Sequence, residues 1–246
     1  MESRRAAGHV PEASEAPPWL WIDRLGGMTA LALRSAAELV SPGGSWLRQM
    51  AIQAAGIFQR VVLTLILVDL AFGFSATGIS VGGVLSSIGA IDRAAATVPV
   101  AFLRELGVLV TAAVAAGAIG TMITAELVAL MLGMPVLTVI GFVVGCFGAY
   151  LGIVGFYDAS HESFISQFLS NTSWLDLWSS QLKAVIYGLI IGVIASYKGL
   201  SVKGGPEGVG RAVNECVVAC IVGCAAIGVL YSAIFLAINP DIAVQR

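Results

Sequence analysis

The sequence predicts an all-α, polytopic membrane protein in which five transmembrane helices follow an interfacial amphipathic helix. Within the 52 residues from Leu106 to Tyr157, Glu126 is the only Asp, Glu, Lys or Arg. A single helix of that length would run roughly 78 Å, whereas the hydrocarbon core of a bilayer is about 30 Å thick, so this stretch is expected to form two spans. The chain is 58% hydrophobic and 11% charged, which excludes a separate soluble domain. Its apolar runs lack period-two alternation, which favours helices over a β-barrel.

The N-terminal region differs in character from the spans. Residues 1–18 combine acidic residues with prolines and lack an apolar core, so they are predicted to form a disordered cytoplasmic tail and not a signal peptide. In residues 19–48, tryptophans alternate with arginines, a combination suited to the lipid headgroup level, and the segment is predicted to be an interfacial helix. A short re-entrant or poorly ordered lead-in remains the alternative for this segment.

The apolar runs place the five spans at about 51–80, 104–127, 130–157, 175–197 and 216–238. Gly133-Met134-Pro135 is the predicted turn between the second and third spans, because Gly and Pro interrupt helices. Glycines at helical spacing in the third span predict close helix packing in lipid, at positions 141, 145, 148, 152 and 155. A cysteine stripe in the fifth span is assigned to packing in preference to a metal site, since no histidine lies beside it: Cys216, Cys220 and Cys224.

Basic residues predict the orientation of the chain in the plasma (inner) membrane. Nine of the 13 Lys and Arg residues lie before or in the first span, or in the predicted loop from Lys198 to Arg211. Five spans place these two regions on one side, which the positive-inside rule assigns to the cytoplasm. The N-terminus is therefore expected in the cytoplasm, and the C-terminus and the polar stretch from Asp158 to Lys183 are expected outside.

Four charged residues in or beside the spans are the candidate transport-path or coupling residues. Asp69 falls near the middle of the first span, where a carboxylate is costly. It is interpreted either as a polar contact in a transport pathway or as a neutral acid hydrogen-bonded to a neighbouring helix. Arg104 and Glu105 are expected to pair at the external end of the second span. Glu126 is expected at the cytoplasmic end of that span, about 31 Å of helix away from Glu105.

The sequence contains no arrangement of residues typical of catalysis, metal binding or nucleotide binding. The glycine-rich stretch from Lys203 to Arg211 lacks the Gly-Lys-Ser/Thr ending of a phosphate-binding loop and follows no strand. The chain is therefore predicted not to be an enzyme, to hold no cofactor of its own and to bind no nucleic acid.

Several segments resemble MlaE-type permeases of ABC transporters, which move lipids between membranes. The resemblance covers residues from about 20 to the C-terminus, which would form one permease domain over 19–246. The loop from Tyr197 to Glu215 is its most specific part and is similar to the YrbE permeases of actinobacterial Mce lipid importers, with an ending like the A-type partner. The other matching segments are Leu103-Arg104-Glu105-Leu106-Gly107, Ala116-Gly117, Thr124-Ala125-Glu126-Leu127 and Val136-Leu137-Thr138-Val139-Ile140.

The resemblance implies a function and a set of partners. Two permease chains, either paralogues or two copies, would form a path for lipid, with Arg104 and Glu105 near its outer mouth. A cytoplasmic ABC ATPase dimer would supply the energy with its own ATP and Mg²⁺, and Glu126 would lead into the coupling region. A hexamer of Mce proteins outside would deliver a sterol, fatty acid or phospholipid for import. An ion-coupled secondary transporter and a non-transporting membrane scaffold remain the alternatives.

The chain departs from this family after Glu126. Permeases of this type carry a charged coupling helix there, whereas Leu127 leads directly into an apolar run. The resulting cytoplasmic connection would have no charge, contrary to the positive-inside pattern. We therefore expect the complete gene product to contain a further segment of roughly two to three dozen residues between about Leu127 and Val128, seen as a break in the chain; a short natural hairpin is the alternative.

Overall fold

The computed structural model describes residues 45–119, 127–200 and 205–239. Every regular element within these ranges is helical, which confirms the predicted all-α class. Helix α1 continues through a π-helical segment into α2, and a 3₁₀ turn precedes α3. The elements are α1 Ser45–Phe72, the π-helix Gly73–Val81, α2 Gly82–Ser87, the 3₁₀ turn Ile91–Arg93, α3 Ala94–Arg104, α4 Leu106–Ile119, α5 Leu127–Tyr157, α6 His161–Asn171, α7 Trp174–Leu200 and α8 Gly205–Ile238.

Within the described ranges, four stretches are long and apolar enough to cross a membrane, namely Val61–Ser87, Leu130–Tyr157, Trp174–Leu200 and Glu207–Ile238. A fifth span arises if the helices at Ile91–Arg104 and Leu106–Ala118, which meet at an angle of 46°, are counted together. The predicted number of five spans is reached only when this bent pair is counted as one span. The first span ends later than predicted, and the second is a broken helix beginning near Ile91 in place of a straight one at 104–127. The apolar composition of residues 94–103 was a signal for this longer segment, but composition could not reveal the bend after Arg104.

The predicted turn at Gly133-Met134-Pro135 is wrong, since all three residues lie inside α5. Proline in a helix leaves one carbonyl without its usual donor, but membrane helices tolerate it when neighbouring helices support the backbone. Leu127 and Val128 are consecutive residues of the same helix, so the expected break in the chain at this point is also wrong.

The predicted loop from Lys198 to Arg211 is largely helical. Helix α7 continues to Leu200 and α8 begins at Gly205. Lys198 near the end of α7 forms an ion pair with Glu215 of α8 at 2.5 Å, which links the two helices at this end of the bundle. The polar stretch from Asp158 to Lys183 likewise contains α6 and the first turns of α7.

Glycines of the third span allow close helix packing, as predicted, and the structure shows that the first span is the partner. A Cβ at Gly148 would lie 2.5 Å from the Leu70 carbonyl oxygen, and one at Gly152 would lie 2.5 Å from the Gly78 Cα. Gly155 is different, since a Cβ there would meet nothing within 4 Å. The stripe therefore packs α5 against α1 and the π-helix over most of its length.

Two groups of buried apolar residues hold the bundle together. The larger group joins α1, α4, α5, α7 and α8, and includes Cys216, Cys220 and Cys224, each 1% exposed. The predicted packing role of the cysteine stripe is therefore confirmed. The smaller group joins α3 and α6 to the second half of α5 through Val98, Phe164 and Ile153.

Several sequence predictions lie outside the described residues. They are the tail at 1–18, the interfacial helix except for its last four residues, Glu126 and the C-terminal residues after 239. Residues 45–48, which end the predicted interfacial segment, belong to α1.

Candidate functional site

The broken span positions the main polar site. Glu105 separates α3 from α4 with φ −136° and ψ −63°, which are not helical values. Immediately after the break, a Cβ at Gly107 would lie 2.6 Å from the Phe102 carbonyl oxygen, so glycine permits the chain to pass this close. The break directs the Arg104 carbonyl and the Glu105 side chain towards α7.

Lys183 of α7 is the central cation of this site. Its side chain is 2% exposed, and Nζ donates to the Arg104 carbonyl oxygen at 2.7 Å, to Glu105 Oε2 at 2.9 Å and to Ser232 Oγ at 3.0 Å. An ammonium group has three hydrogens to donate, so these contacts satisfy it fully. Lys183 therefore ties the broken span to α8 through α7.

Arg104 forms the second ion pair of the site. Its Nε and Nη2 donate to Oδ1 and Oδ2 of Asp176, each at 3.2 Å, which is the two-point geometry that favours arginine over lysine. The Asp176 side chain is 2% exposed. The sequence predicted that Arg104 and Glu105 pair with each other, whereas the structure gives each a partner on α7. We refer to Arg104, Glu105, Asp176 and Lys183 as the charged cluster.

A cavity of about 340 Å³ opens beside the charged cluster, between the broken span, α7 and α8. Tyr231 and Ser179 line it and bond to each other, with the Tyr231 hydroxyl 3.1 Å from Ser179 Oγ. The surface that lines the cavity is mainly aliphatic and aromatic, with a small contribution from charged and hydroxyl groups, which suits a largely apolar ligand that carries a polar group. The lining residues are Val100, Ala101, Leu103, Arg104, Glu105, Leu106, Asp176, Ser179, Tyr231, Ser232, Phe235 and Leu236.

Asp69 lies elsewhere in the bundle and does not line this cavity. It is 0% exposed and therefore faces the protein interior, as the cost of a carboxylate in contact with lipid would lead one to expect. Thr111 of α4 and Gly141 of α5 lie beside it. The structure therefore brings Arg104 and Glu105 together in one site and separates Asp69 from them.

Sequence reasoning missed Asp176, Lys183 and Ser232. The available signal was the placement of Asp176 and Lys183 seven residues apart, on one face of a single helix, at the end of a predicted span. This signal was overlooked because the two residues were assigned to an external connecting segment. Among residues 45–119, 127–200 and 205–239, no group of three or more His, Cys, Asp or Glu residues is arranged to hold a metal ion.

Comparison with known proteins points to a permease family. Residues 127–234 match the family described as Permease MlaE. A probable ABC transporter permease protein of Rickettsia typhi is 29% identical over 163 residues, covering 54% of this chain and 62% of that protein. A probable ABC transporter permease protein of Synechocystis is 25% identical over 167 residues, covering 56% and 59%. The Arabidopsis thaliana protein named TRIGALACTOSYLDIACYLGLYCEROL 1, chloroplastic is 27% identical over 172 residues, covering 58% and 45%.

These alignments include positions that have no counterpart in this chain. The match to the Rickettsia typhi protein extends over 163 residues but includes only 54% of this chain's 246, about 133 residues. About 30 aligned positions therefore have no counterpart here, and the Synechocystis match gives nearly the same difference. The chain spans about three fifths of the length of these relatives. The comparisons together show similarity to Permease MlaE over residues 127–234 and to probable ABC transporter permease proteins across just over half of the chain.

Proposed function

We propose that this chain is a permease subunit of an MlaE-type ABC transporter and that the cavity beside the charged cluster belongs to its lipid path. The observation that carries the proposal is the combination of the Permease MlaE match over residues 127–234 with an amphiphilic cavity at the broken span. Arg104 and Glu105 also support this assignment, because they line the cavity and lie in one of the segments that resemble these permeases.

A lipid is the proposed substrate because the cavity offers both halves of an amphiphile a suitable surface. A polar headgroup would contact Arg104, Ser179 and Tyr231, and hydrocarbon would contact Phe235 and Leu236. The name of the Arabidopsis thaliana relative is that of a glycolipid, which supports a lipid substrate. A sterol, a fatty acid and a phospholipid all satisfy this description.

The proposed partners complete the transporter. A second permease, either a paralogue or another copy, would close the lipid path, and a cytoplasmic ABC ATPase dimer would bind ATP and Mg²⁺ and drive transport. Mce proteins outside would deliver lipid for import into the cell. The similarity of residues 197–215 to actinobacterial A-type YrbE permeases supports this branch and a heterodimer.

The proposed orientation places the charged cluster near the outer face of the plasma membrane. The N-terminus and the connection between α7 and α8 would lie in the cytoplasm, as the distribution of Lys and Arg favours. Asp176 lies in the first turn of α7, and this end of α7 would then face outward.

We propose that the relatives contain a coupling segment that this chain lacks. The number of unmatched positions, about 30, equals the size expected for that segment, and the family match begins at Leu127, next to the predicted position of the segment. Both observations support an insertion in the relatives between α4 and α5.

Copurification from native membranes tests the proposal most directly. We expect the tagged chain to bring down an ABC ATPase and a second permease, identified by mass spectrometry, and to carry bound lipid. A Lys183→Gln variant should lose lipid uptake, whereas Arg211→Gln should retain it, because Arg211 and its partner Glu207 are 75% and 91% exposed. Recovery of the chain without any ATPase, or unchanged uptake by Lys183→Gln, would contradict the proposed function.

A further inference from the structure

We propose that Asp69 and Thr111 form a proton-binding site in the core of the bundle, at which Asp69 carries the proton and Thr111 accepts its hydrogen bond. The site is separate from the charged cluster, and its ligand is the proton itself. Protonation converts the carboxylate into a neutral carboxylic acid by taking one proton from water.

Within the described part of the chain, Asp69 and Thr111 are buried polar residues without a hydrogen-bond partner. Asp69 and Thr111 are both 0% exposed. Neither oxygen of Asp69 nor the hydroxyl of Thr111 has a hydrogen-bond partner among the described residues. An isolated ionised carboxylate in an apolar interior is very costly, and such groups become neutral unless a partner compensates the charge.

The side-chain oxygens of Asp69 and Thr111 lie close together beside Gly141. A Cβ at Gly141 would lie 2.5 Å from Asp69 Oδ2 and 2.9 Å from Thr111 Oγ1. The two oxygens therefore face one small space and are at most 5.4 Å apart, the sum of these distances. A modest side-chain rotation or one bridging water would join a protonated Asp69 to Thr111. Glycine at 141 leaves this space for them.

The charges around Asp69 favour a proton over an ion pair. The π-helix, α4 and α5 pack against α1, and their described residues include no Asp, Glu, Lys, Arg or His. Their other titratable groups are Cys146, five residues beyond Gly141, together with Tyr150, which bonds to His161, and Tyr157, which bonds to the Ile79 carbonyl.

Two further elements carry charges but are separated from Asp69 or already paired. Helix α3 contacts α1 through Phe102 and Phe72, and its Arg104 binds Asp176. On α1 itself, Arg60 lies nine residues before Asp69, about 13 Å along the helix. Arg104 is thus bound elsewhere, and no Lys or Arg lies within two turns of Asp69 along α1.

A metal ion fits the site less well than a proton. Hard cations such as Ca²⁺ take six to eight oxygen ligands, and Mg²⁺ takes six. Here two side chains supply three oxygen atoms. A proton needs one carboxylate oxygen and one acceptor, which this pair provides.

Infrared difference spectroscopy tests the proposal on the complete chain in its native complex, with aspartate labelled by ¹³C at the side-chain carboxyl. We expect the parent at neutral pH to show the C=O stretch of a protonated acid that Asp69→Asn lacks. Thr111→Val should move this band to higher frequency, because a hydrogen bond lowers it. The chain's other five aspartates provide the internal reference.

Each other outcome contradicts the proposal. A difference spectrum that contains carboxylate bands in place of the C=O stretch would show that Asp69 is ionised. Loss of the C=O band on adding Na⁺ would assign the site to a metal cation. If Asp69→Asn does not accumulate in membranes, Thr111→Val alone decides, since an unmoved band would exclude the proposed pair. This test does not depend on lipid transport, so it can fail while the proposed function stands.

Discussion

At the scale of single residues, Lys183 illustrates how a cation is stabilised within an apolar bundle. Its three hydrogen bonds reach a carboxylate, a hydroxyl and a backbone carbonyl at a helix break, so no donor remains unpaired. Each contact comes from a different residue. All three hydrogen bonds can therefore form only when the broken span, α7 and α8 are correctly packed together. Removal of its charge is expected to weaken the bundle and alter the cavity together.

The first prediction concerns Lys183→Met, which keeps the length of the side chain but removes the ammonium group. Breaking a buried ion pair costs about 3–5 kcal/mol, and because Glu105 is 42% exposed we expect a smaller loss of about 2 kcal/mol. Thermal unfolding of the purified protein in detergent, followed by tryptophan fluorescence, measures it. Arg211→Met is the control and should change stability by less than about 0.5 kcal/mol, since its pair is solvent-exposed.

The double variant Lys183→Met, Glu105→Gln separates charge from packing. It should recover part of the stability lost in Lys183→Met, because no uncompensated carboxylate remains. If the loss of stability in the double variant equals the sum of the losses in the two single variants, the ion pair itself makes no separate contribution to stability.

A second residue-scale prediction compares substitutions of Asp69. Asparagine resembles a protonated aspartate in shape and in its capacity to form hydrogen bonds, whereas leucine is too large for the space beside Gly141 and offers Thr111 no polar atom. Asp69→Asn should therefore accumulate and assemble close to the parental level, and Asp69→Leu should accumulate several-fold less. Size-exclusion chromatography of a fluorescent fusion measures both. Equal accumulation of the two variants would contradict this expectation.

At the scale of elements, α5 is the helix against which most others pack. Its glycines receive the backbone of α1 and the π-helix at Leu70 and Gly78, and its Leu130 carbonyl faces Gly188 of α7, where a Cβ would lie 2.8 Å away. Lipid provides no hydrophobic drive for helix association, so close backbone contact contributes through van der Waals packing.

The third prediction uses two glycines of α5 that differ in their surroundings. Gly152→Val should destabilise the bundle by about 1–3 kcal/mol through overpacking, since the Gly78 backbone occupies the position of the new side chain. Gly155→Val should have little effect, because a Cβ there meets nothing within 4 Å. Thermal stability in detergent compares them, and equal losses would show that helix propensity and not packing controls these positions.

At the scale of the whole molecule, the described part of the chain combines four continuous helical spans, the first with a π-helical segment, and one bent pair of helices. The bend of 46° lies at the charged cluster, so the polar site and the interruption of the span occur at the same point. This arrangement gives one end of the bundle a polar, amphiphilic opening while the larger apolar core holds α1, α4, α5, α7 and α8 together.

The fourth prediction concerns topology. In a variant whose native cysteines are replaced, a cysteine at Ser201 should react with a membrane-impermeant thiol reagent only from the cytoplasmic side, because Lys and Arg are retained there. A cysteine at Ser166, on α6, should react only from outside. Labelling of Ser201 in intact cells would overturn the proposed orientation.

The fifth prediction is that the purified chain alone hydrolyses no ATP, because its sequence lacks a phosphate-binding loop. ATP turnover should appear only when the partner ATPase is present. A coupled phosphate-release assay, with mass spectrometry to exclude other polypeptides, measures it, and turnover by the chain alone would contradict the assignment.

The sequence by itself determined the class, the approximate number of spans and the use of glycine at helix contacts. These properties follow from local composition: a long apolar run must satisfy its backbone within a helix, and glycines at helical spacing must share a face. For the same reason Asp69 could be expected to face the interior, since a carboxylate in contact with lipid is costly wherever the neighbouring helices lie.

Only the tertiary structure decided the break at Glu105, the course of α5 through Pro135 and the partners of Arg104 and Glu105. Whether a proline or a polar residue interrupts a helix depends on what its neighbours donate or accept, and those neighbours lie far away in sequence. Lys183 is 78 residues from Glu105, and Asp176 is 72 residues from Arg104. Ion pairs at such separations depend on which helices are adjacent, and helix adjacency is fixed by the packing of the complete bundle.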